Sequence, residues 1–465
     1  TVTDAVRVLE PPIAAFTATP TEGNAPLTVQ FTDQSTGNVT AWLWDFGDGN
    51  TSTGQSPVHI YTSAGNYSVT MNASNAYGYN VSAPVTITVL EPPAAAFTAN
   101  VTEGNAPLTV QFTDESTGNV TAWLWNFGDG NTSTEQSPSH IYASPGTYTV
   151  SLNASNAYGS STETRVDYIT VLEPPTAAFT ATPTEGNAPL TVQFTDESTG
   201  NVTAWLWDFG DGNTSTEQNP VHTYESPGNY TVTLNASNAY GFSTETRVDY
   251  ITVLKSPAAA FTATPTEGNA PLTVQFTDES TGNVTAWLWD FGDGNTSTEQ
   301  NPIHTYASAG NYTVFLNASN AYGYNISTVT DAVRVLEPPT AAFTATPTEG
   351  NAPLTVTFND TSTGNVTAWL WDFGDGNTST DQNPVHTYES PGTYTVSLNA
   401  SNAYGSSTET RVDYITVLEP PTAAFTATPT EGNAPLTVQF TDESTGNVTA
   451  WLWDFGDGNT STEQN

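Results

Sequence analysis

Apolar and polar residues alternate in short runs along the whole chain, as in Leu190-Thr191-Val192-Gln193-Phe194-Thr195, Trp205-Leu206-Trp207-Asp208-Phe209 and Tyr230-Thr231-Val232-Thr233-Leu234-Asn235-Ala236. A period of two sends alternate side chains to one face, and β-branched and aromatic residues suit a pleated, half-buried surface. These runs predict strands. Between them fall Thr184-Glu185-Gly186-Asn187-Ala188-Pro189, Ser198-Thr199-Gly200-Asn201, Gly210-Asp211-Gly212-Asn213 and Ser226-Pro227-Gly228. Glycine there supplies positive φ and proline fixes turn entry, so these segments read as turns. About seven short strands in some 80 residues, with no helical period, predict an antiparallel β-sandwich.

The pattern repeats. Trp-Leu-Trp-Asp-Phe-Gly-Asp-Gly-Asn begins at Trp42, Trp123, Trp205, Trp287, Trp369 and Trp451, with Asn126 its one deviation, so the 465 residues are one small domain written over and over. Glu10-Pro11-Pro12, Glu91-Pro92-Pro93, Glu173-Pro174-Pro175, Glu337-Pro338-Pro339 and Glu419-Pro420-Pro421 join the units, with Lys255-Ser256-Pro257 as the variant. Paired prolines make stiff, extended joints. The expected organisation is the last strand of a preceding repeat at 1–10, full repeats at 11–91, 92–173, 174–255, 256–337 and 338–419, and a truncated repeat at 420–465. The fold class expected is all-β, a tandem array of immunoglobulin-like sandwiches forming an elongated rod. Residues 1–12 recur verbatim at 328–339, which suggests a window from a longer repeat polypeptide.

Charge narrows the function. There are 47 acidic residues against 6 basic ones, a net charge of -41. Such a surface repels phosphate backbones and anionic headgroups, so neither nucleic acid nor membrane insertion is expected of this segment. No cysteine is available for a disulfide or a thiolate site, and no apolar run is long enough to cross a bilayer.

Candidate chemistry is repetitive as well. The pairs Trp42 and Trp44, Trp123 and Trp125, Trp205 and Trp207, Trp287 and Trp289, Trp369 and Trp371, and Trp451 and Trp453 could stack sugars, but their alternation favours core packing. The recurring His59, His140, His222, His304 and His386 lack the partners of a zinc site and read as structural. No catalytic residues are expected, because enzymes assemble a site from unlike groups. Asp196, Asp208 and Asp211, with their repeat equivalents, are weak calcium candidates against a plain hairpin role. Asn-x-Ser/Thr occurs 24 times. The glycosylation candidates are Asn38, Asn50, Asn72, Asn119, Asn131, Asn153, Asn201, Asn213, Asn229, Asn235, Asn283, Asn295, Asn311, Asn317, Asn365, Asn377, Asn399, Asn447 and Asn459, so N-glycans are an expected modification of a secreted chain.

Trp-Asp-Phe-Gly-Asp-Gly-Asn, followed by Pro-Val-His-Thr-Tyr and Ser-Pro-Gly-Asn-Tyr-Thr-Val-Thr-Leu-Asn-Ala-Ser-Asn (Pro220 to Asn238), resembles the polycystic kidney disease (PKD) domain family in every repeat. The resemblance implies an immunoglobulin-like sandwich with the Trp motif buried. It also implies an extracellular setting, in archaeal cell-surface and S-layer proteins or as spacers in secreted bacterial hydrolases. Arrays this uniform look most like surface proteins of methanogens. Many relatives carry Asp-x-Asp-Gly before the Trp strand, where this chain has Ser198-Thr199-Gly200-Asn201, which removes carboxylates a calcium loop would use. The expected function is a secreted structural protein that self-associates into a filament, sheath or surface layer. The alternative is an adhesin or polysaccharide-binding spacer of a larger secreted protein or hydrolase, with any enzyme lying outside this segment.

Overall fold

The computed structural model describes residues 8–465. The expected strand at 1–10 lies mostly outside the described residues. Every element among the described residues is a strand. The chain divides into two compact units, one comprising the chain to Thr184 with 191–224 and 229–252, the other 185–190, 225–228 and 253–465.

In the first unit the opening repeat supplies β1 (Phe16–Thr19), β2 (Glu22–Asn24), β3 (Leu27–Asp33), β4 (Ala41–Asp45), β5 (Thr51–Ser52), β6 (Val58–Tyr61), β7 (Gly65–Asn75), β8 (Gly78–Val81) and β9 (Val85–Leu90). One sheet runs β1-β3-β6 and the other β2-β9-β7-β4-β5, with β8 beside β7. The next repeat gives β10 (Phe97–Ala99), β11 (Glu103–Asn105), β12 (Leu108–Asp114), β13 (Ala122–Asn126), β14 (Thr132–Ser133), β15 (Ser139–Tyr142), β16 (Gly146–Asn156) and β17 (Gly159–Leu172). Its sheets run β10-β12-β15 and β11-β17-β16-β13-β14. In the second unit, the two full repeats after Pro257 show the same orders.

Alternation becomes burial directly. In β3, Leu27, Val29 and Phe31 are buried, while Thr28, Gln30 and Thr32 face water. Val29, Phe31, Trp44, Phe46, Tyr61, Val69, Met71 and Ile87 form a core between the two sheets. Each large apolar side chain so buried contributes about 1.5–3 kcal/mol.

Two features depart from the sequence reading. Glu22-Gly23-Asn24, like its counterpart at 185–187, belongs to a segment that reads as a turn, yet it forms a short strand pairing parallel with β9, Glu22 opposite Thr88. Three residues are too few to show alternation, and their partner lies far along the chain. A Cβ on Gly23 would meet Leu27 Cδ1 at 2.6 Å, so a larger residue at the centre would displace the Leu27 side chain. A second departure is a register shift between Tyr148 and Val150 opposite β17. Close to it, Asp167 adopts φ 51°, and its N–H donates to Thr149 Oγ1 at 3.1 Å. Asp249, Asp331 and Asp413 share this conformation. Left-handed backbone is tolerated by Asp and Gly but penalises β-branched residues. Asp167→Gly is therefore expected to be neutral or to stabilise, and Asp167→Val to cost about 1–3 kcal/mol, in urea unfolding followed by tryptophan fluorescence. Equal stability of the Val variant would show that the bulge relaxes freely.

Candidate functional site

The two tryptophans of each motif have different surroundings. Trp44, Trp125, Trp207, Trp289 and Trp371 are fully buried. Trp44 meets Phe16 edge-on at 5.0 Å and Phe31 at 5.6 Å, and its Nε1–H donates to Gly54 O at 2.8 Å. Such a ring offers no face to a sugar. Trp42, Trp123, Trp205, Trp287 and Trp369 are half-buried. In the last matched repeat Trp451 and Trp453 are both half-buried.

The half-buried ring is held by a carboxylate that the sequence reading considered only for calcium. Trp205 Nε1 donates to Asp196 Oδ2 at 2.7 Å, and Gln218 Nε2 donates to the same oxygen at 3.0 Å. The other oxygen, Oδ1, takes the Ser198 N–H at 3.0 Å. Trp42 and Asp33, Trp123 and Asp114, Trp287 and Asp278, and Trp369 and Asp360 repeat the bond at 2.7–2.9 Å. Burial pushes the Asp33 carboxyl up, but bonds from Ser35, Gln55 and Trp42 together hold it below the usual carboxylate range.

The other carboxylates are also committed. Asp208 Oδ1 takes the Gly210 N–H at 2.9 Å, closing the hairpin. Asp211 Oδ2 lies 2.7 Å from His222 Nε2 and accepts from Asn213 Nδ2 at 3.0 Å. The imidazole stacks on Phe209 at 4.2 Å and meets Tyr224 edge-on at 4.7 Å. In the opening repeat the equivalent Tyr61 hydroxyl donates to Phe46 O at 3.0 Å, and burial pushes that phenol up, keeping it a donor. His59, His140, His304 and His386 make the same 2.7 Å contact with Asp48, Asp129, Asp293 and Asp375. Among the described residues no three His, Cys, Asp or Glu side chains are grouped to hold a metal ion.

These carboxylates give the repeats an acid limit. At Asp48 burial raises the pKa, yet bonds from His59 and Asn50 outweigh it and hold the carboxyl low. A carboxyl depressed in the folded state stabilises above its unfolded pKa, about 3.9, and loses that contribution as pH falls through the folded value. The melting temperature is therefore expected to fall below about pH 4, and less steeply in Asp33→Asn. A melting temperature unaffected down to pH 2 would contradict the inventory of bonded carboxylates.

Several sequons serve the fold. Asn119, Asn201 and Asn365 accept the linker N–H of Glu91, Glu173 and Glu337 at 2.7–2.8 Å, and Asn283 does the same for Lys255. Asn131, Asn213, Asn295 and Asn377 bond the Asp two residues earlier, as Asn50 does. On the outer strand face Asn153 and Asn399 donate to Thr162 and Thr408, and Asn235 donates to Thr244. Val81 and Ile326 stand opposite Asn72 and Asn317, whose buried Oδ1 atoms have no partner.

The profile of the PKD domain matches residues 9–89, 90–171, 172–253, 255–335, 336–417 and 418–465. Human polycystin-1 (Homo sapiens) is 28% identical over 433 residues, 85% of this chain and 9% of that protein. Collagenase ColA of Bacillus cereus is 39% identical over 72 residues, 15% of this chain and 8% of that protein. Pre-pro-metalloprotease PrtV of Vibrio cholerae is 31% identical over 153 residues, 32% of this chain and 17% of that protein. The chain thus spans less than a fifth of each of these relatives. A titin I-band fragment, I67–I69, is similar at 16% identity and TM-score 0.38, covering 52% of this chain and 98% of its own, too loose a likeness to carry an argument. Matched from residue 9 to residue 465 in six successive copies, the chain belongs to the PKD domain family.

Proposed function

We propose that the chain is part of an extracellular structural protein, an array of equivalent modules that builds a surface layer, sheath, stalk or filament of the kind found on methanogens. The observation behind this reading is that every repeat turns the same chemistry inward. The Trp and Asp bond, the His and Asp pair and the Tyr to carbonyl bond are spent inside each module, in copies that scarcely differ. What remains outside is a surface almost without cations. Uniform surfaces allow the same lateral contact at every step, with N-glycans and bridging divalent cations such as calcium relieving charge repulsion between neighbouring chains. In the source cells the protein is expected to be labelled by antibody from outside and to stay with the envelope fraction. Recovery in the cytosol would overturn the proposal.

A second reading, a polysaccharide-binding spacer or adhesin, draws support from one position. Exposed aromatics that vary between repeats are almost absent from the sequence pattern. The structure nevertheless leaves Tyr79, Phe242 and Tyr324 about 70% exposed, at the position occupied by Ser160 and Ser406 in other repeats. Retention on polysaccharide resins, lost when all three are changed to serine, would favour this reading over the first.

A further inference from the structure

Successive repeats meet through a contact that the sandwich itself does not need. Asn24 ends β2, and Asn156 ends β16 in the next repeat. Their side-chain amides exchange hydrogen bonds, each Nδ2 donating to the other's Oδ1, at 3.0 and 2.8 Å. Within the same unit Asn105 and Asn238 do so at 3.1 and 2.9 Å. Within the second unit Asn187 pairs with Asn320 at 3.0 and 2.9 Å, and Asn269 with Asn402 at 3.1 and 2.8 Å.

One partner of the pair is anchored within its own repeat. Asn156 Nδ2 also donates to Asn119 O at 3.0 Å, and its Oδ1 takes the Tyr158 N–H at 2.9 Å, which fixes the amide plane. Gly159 gives the incoming Asn24 room, because a Cβ there would lie 3.2 Å from Asn24 Nδ2. The linker is pinned from both sides. Ala25 N–H donates to Leu90 O, while Glu91 and Asn119 exchange bonds of 2.8 and 2.9 Å. A Cβ on Gly118 would fall 2.2 Å from Pro92 O, so linker and next repeat are in close contact.

The chain contains its own controls. Tyr77, whose hairpin has no described repeat before it, is 83% exposed, whereas Tyr158, Tyr240, Tyr322 and Tyr404 are 46–47% exposed. Desolvation and the Glu185 carboxylate of the preceding repeat push the Tyr322 phenol up. On the complementary face Gly23, Gly104, Gly186 and Gly268 are buried. Gly350, which faces no complete repeat, is half-exposed, and Asn351 is exposed.

We propose that the reciprocal asparagine pair is a lock. The Glu-Gly-Asn edge of one repeat is a docking surface whose partner is the Asn-Ala-Tyr-Gly hairpin of the next, so orientation is fixed at each joint and does not hinge freely about the prolines. An amide pair suits this chain because it is neutral. An ion pair would need a cation from a protein with 6 Lys and Arg, and it would weaken with salt. The lock holds whether the array builds a layer or spaces a binding domain.

The full chain has no native cysteine, so Thr28→Cys and Thr109→Cys, exposed strand positions in the first and second repeats, accept two spin labels without competition. Pulsed dipolar spectroscopy is expected to give one narrow distance distribution, unchanged in 1 M salt, since the amide pair carries no charge. Asn24→Ala, whose side chain among the described residues bonds only across the joint, is expected to at least double the width while circular dichroism and melting stay as in the parent. Gly159→Ala reads the same joint from the opposite side if Asn24→Ala disturbs folding. A broad parent distribution, or an unchanged width in both variants, overturns the lock and leaves the cell-surface proposal to its own test.

Discussion

Trp207→Ala is expected to cost its repeat about 3–5 kcal/mol, the usual penalty for truncating a buried large aromatic. The ring is fully buried, meets Phe179 at 5.2 Å and Phe194 at 5.5 Å, and donates Nε1–H to Glu217 O at 2.9 Å. Its loss leaves both a cavity and an unpaired carbonyl. That is a large share of the stability of a small domain. Trp205→Ala is expected to cost less, since that ring is half-buried and Asp196 keeps Gln218 and Ser198 when it is gone. Urea unfolding gives both numbers. A Trp207→Ala protein as stable as its parent but deficient in glycan binding would make the ring a platform instead of a core residue.

Gly210→Ala is expected to cost about 2–4 kcal/mol, for backbone strain and a steric clash together. Gly210 has φ 80°, and a Cβ would lie 2.3 Å from Thr231 O, a backbone atom that cannot swing away. Gly212, two residues on, has φ 93° with nothing within 4 Å of its Cβ site. Gly212→Ala therefore meets only the left-handed penalty, about 1–2 kcal/mol. Equal costs at the two positions would show that the close approach to Thr231 is not a constraint.

Much of this was legible in the chain because a period of two and a period of 82 residues are both strong signals. Trp207 and Phe209 fall on one phase of their strand, and that phase is buried. The hairpin role of Asp208 follows from its place before Gly210. Harder to read were partnerships between distant segments. Nothing local marks Asp196 as the acceptor for Trp205, nine residues later, because the bond depends on how the two sheets close. The Glu-Gly-Asn strand was hidden by its length and by a glycine that local rules assign to turns. The asparagine lock was the least visible, since Asn24 and Asn156 lie 132 residues apart and each looks like an ordinary turn residue. Repetition offered one hint. Asn-Ala-Tyr-Gly is kept in every full repeat while the residue after it varies among Tyr79, Ser160, Phe242, Tyr324 and Ser406.

The central claim is that this chain is a mechanical series of equivalent modules, and stretching single molecules tests it most directly. The account predicts a series of similar force peaks, each releasing one repeat of about 82 residues, or roughly 270–295 Å of contour length before subtracting the folded extension. One or two large releases of several repeats together, or extension with no peaks at all, would contradict it.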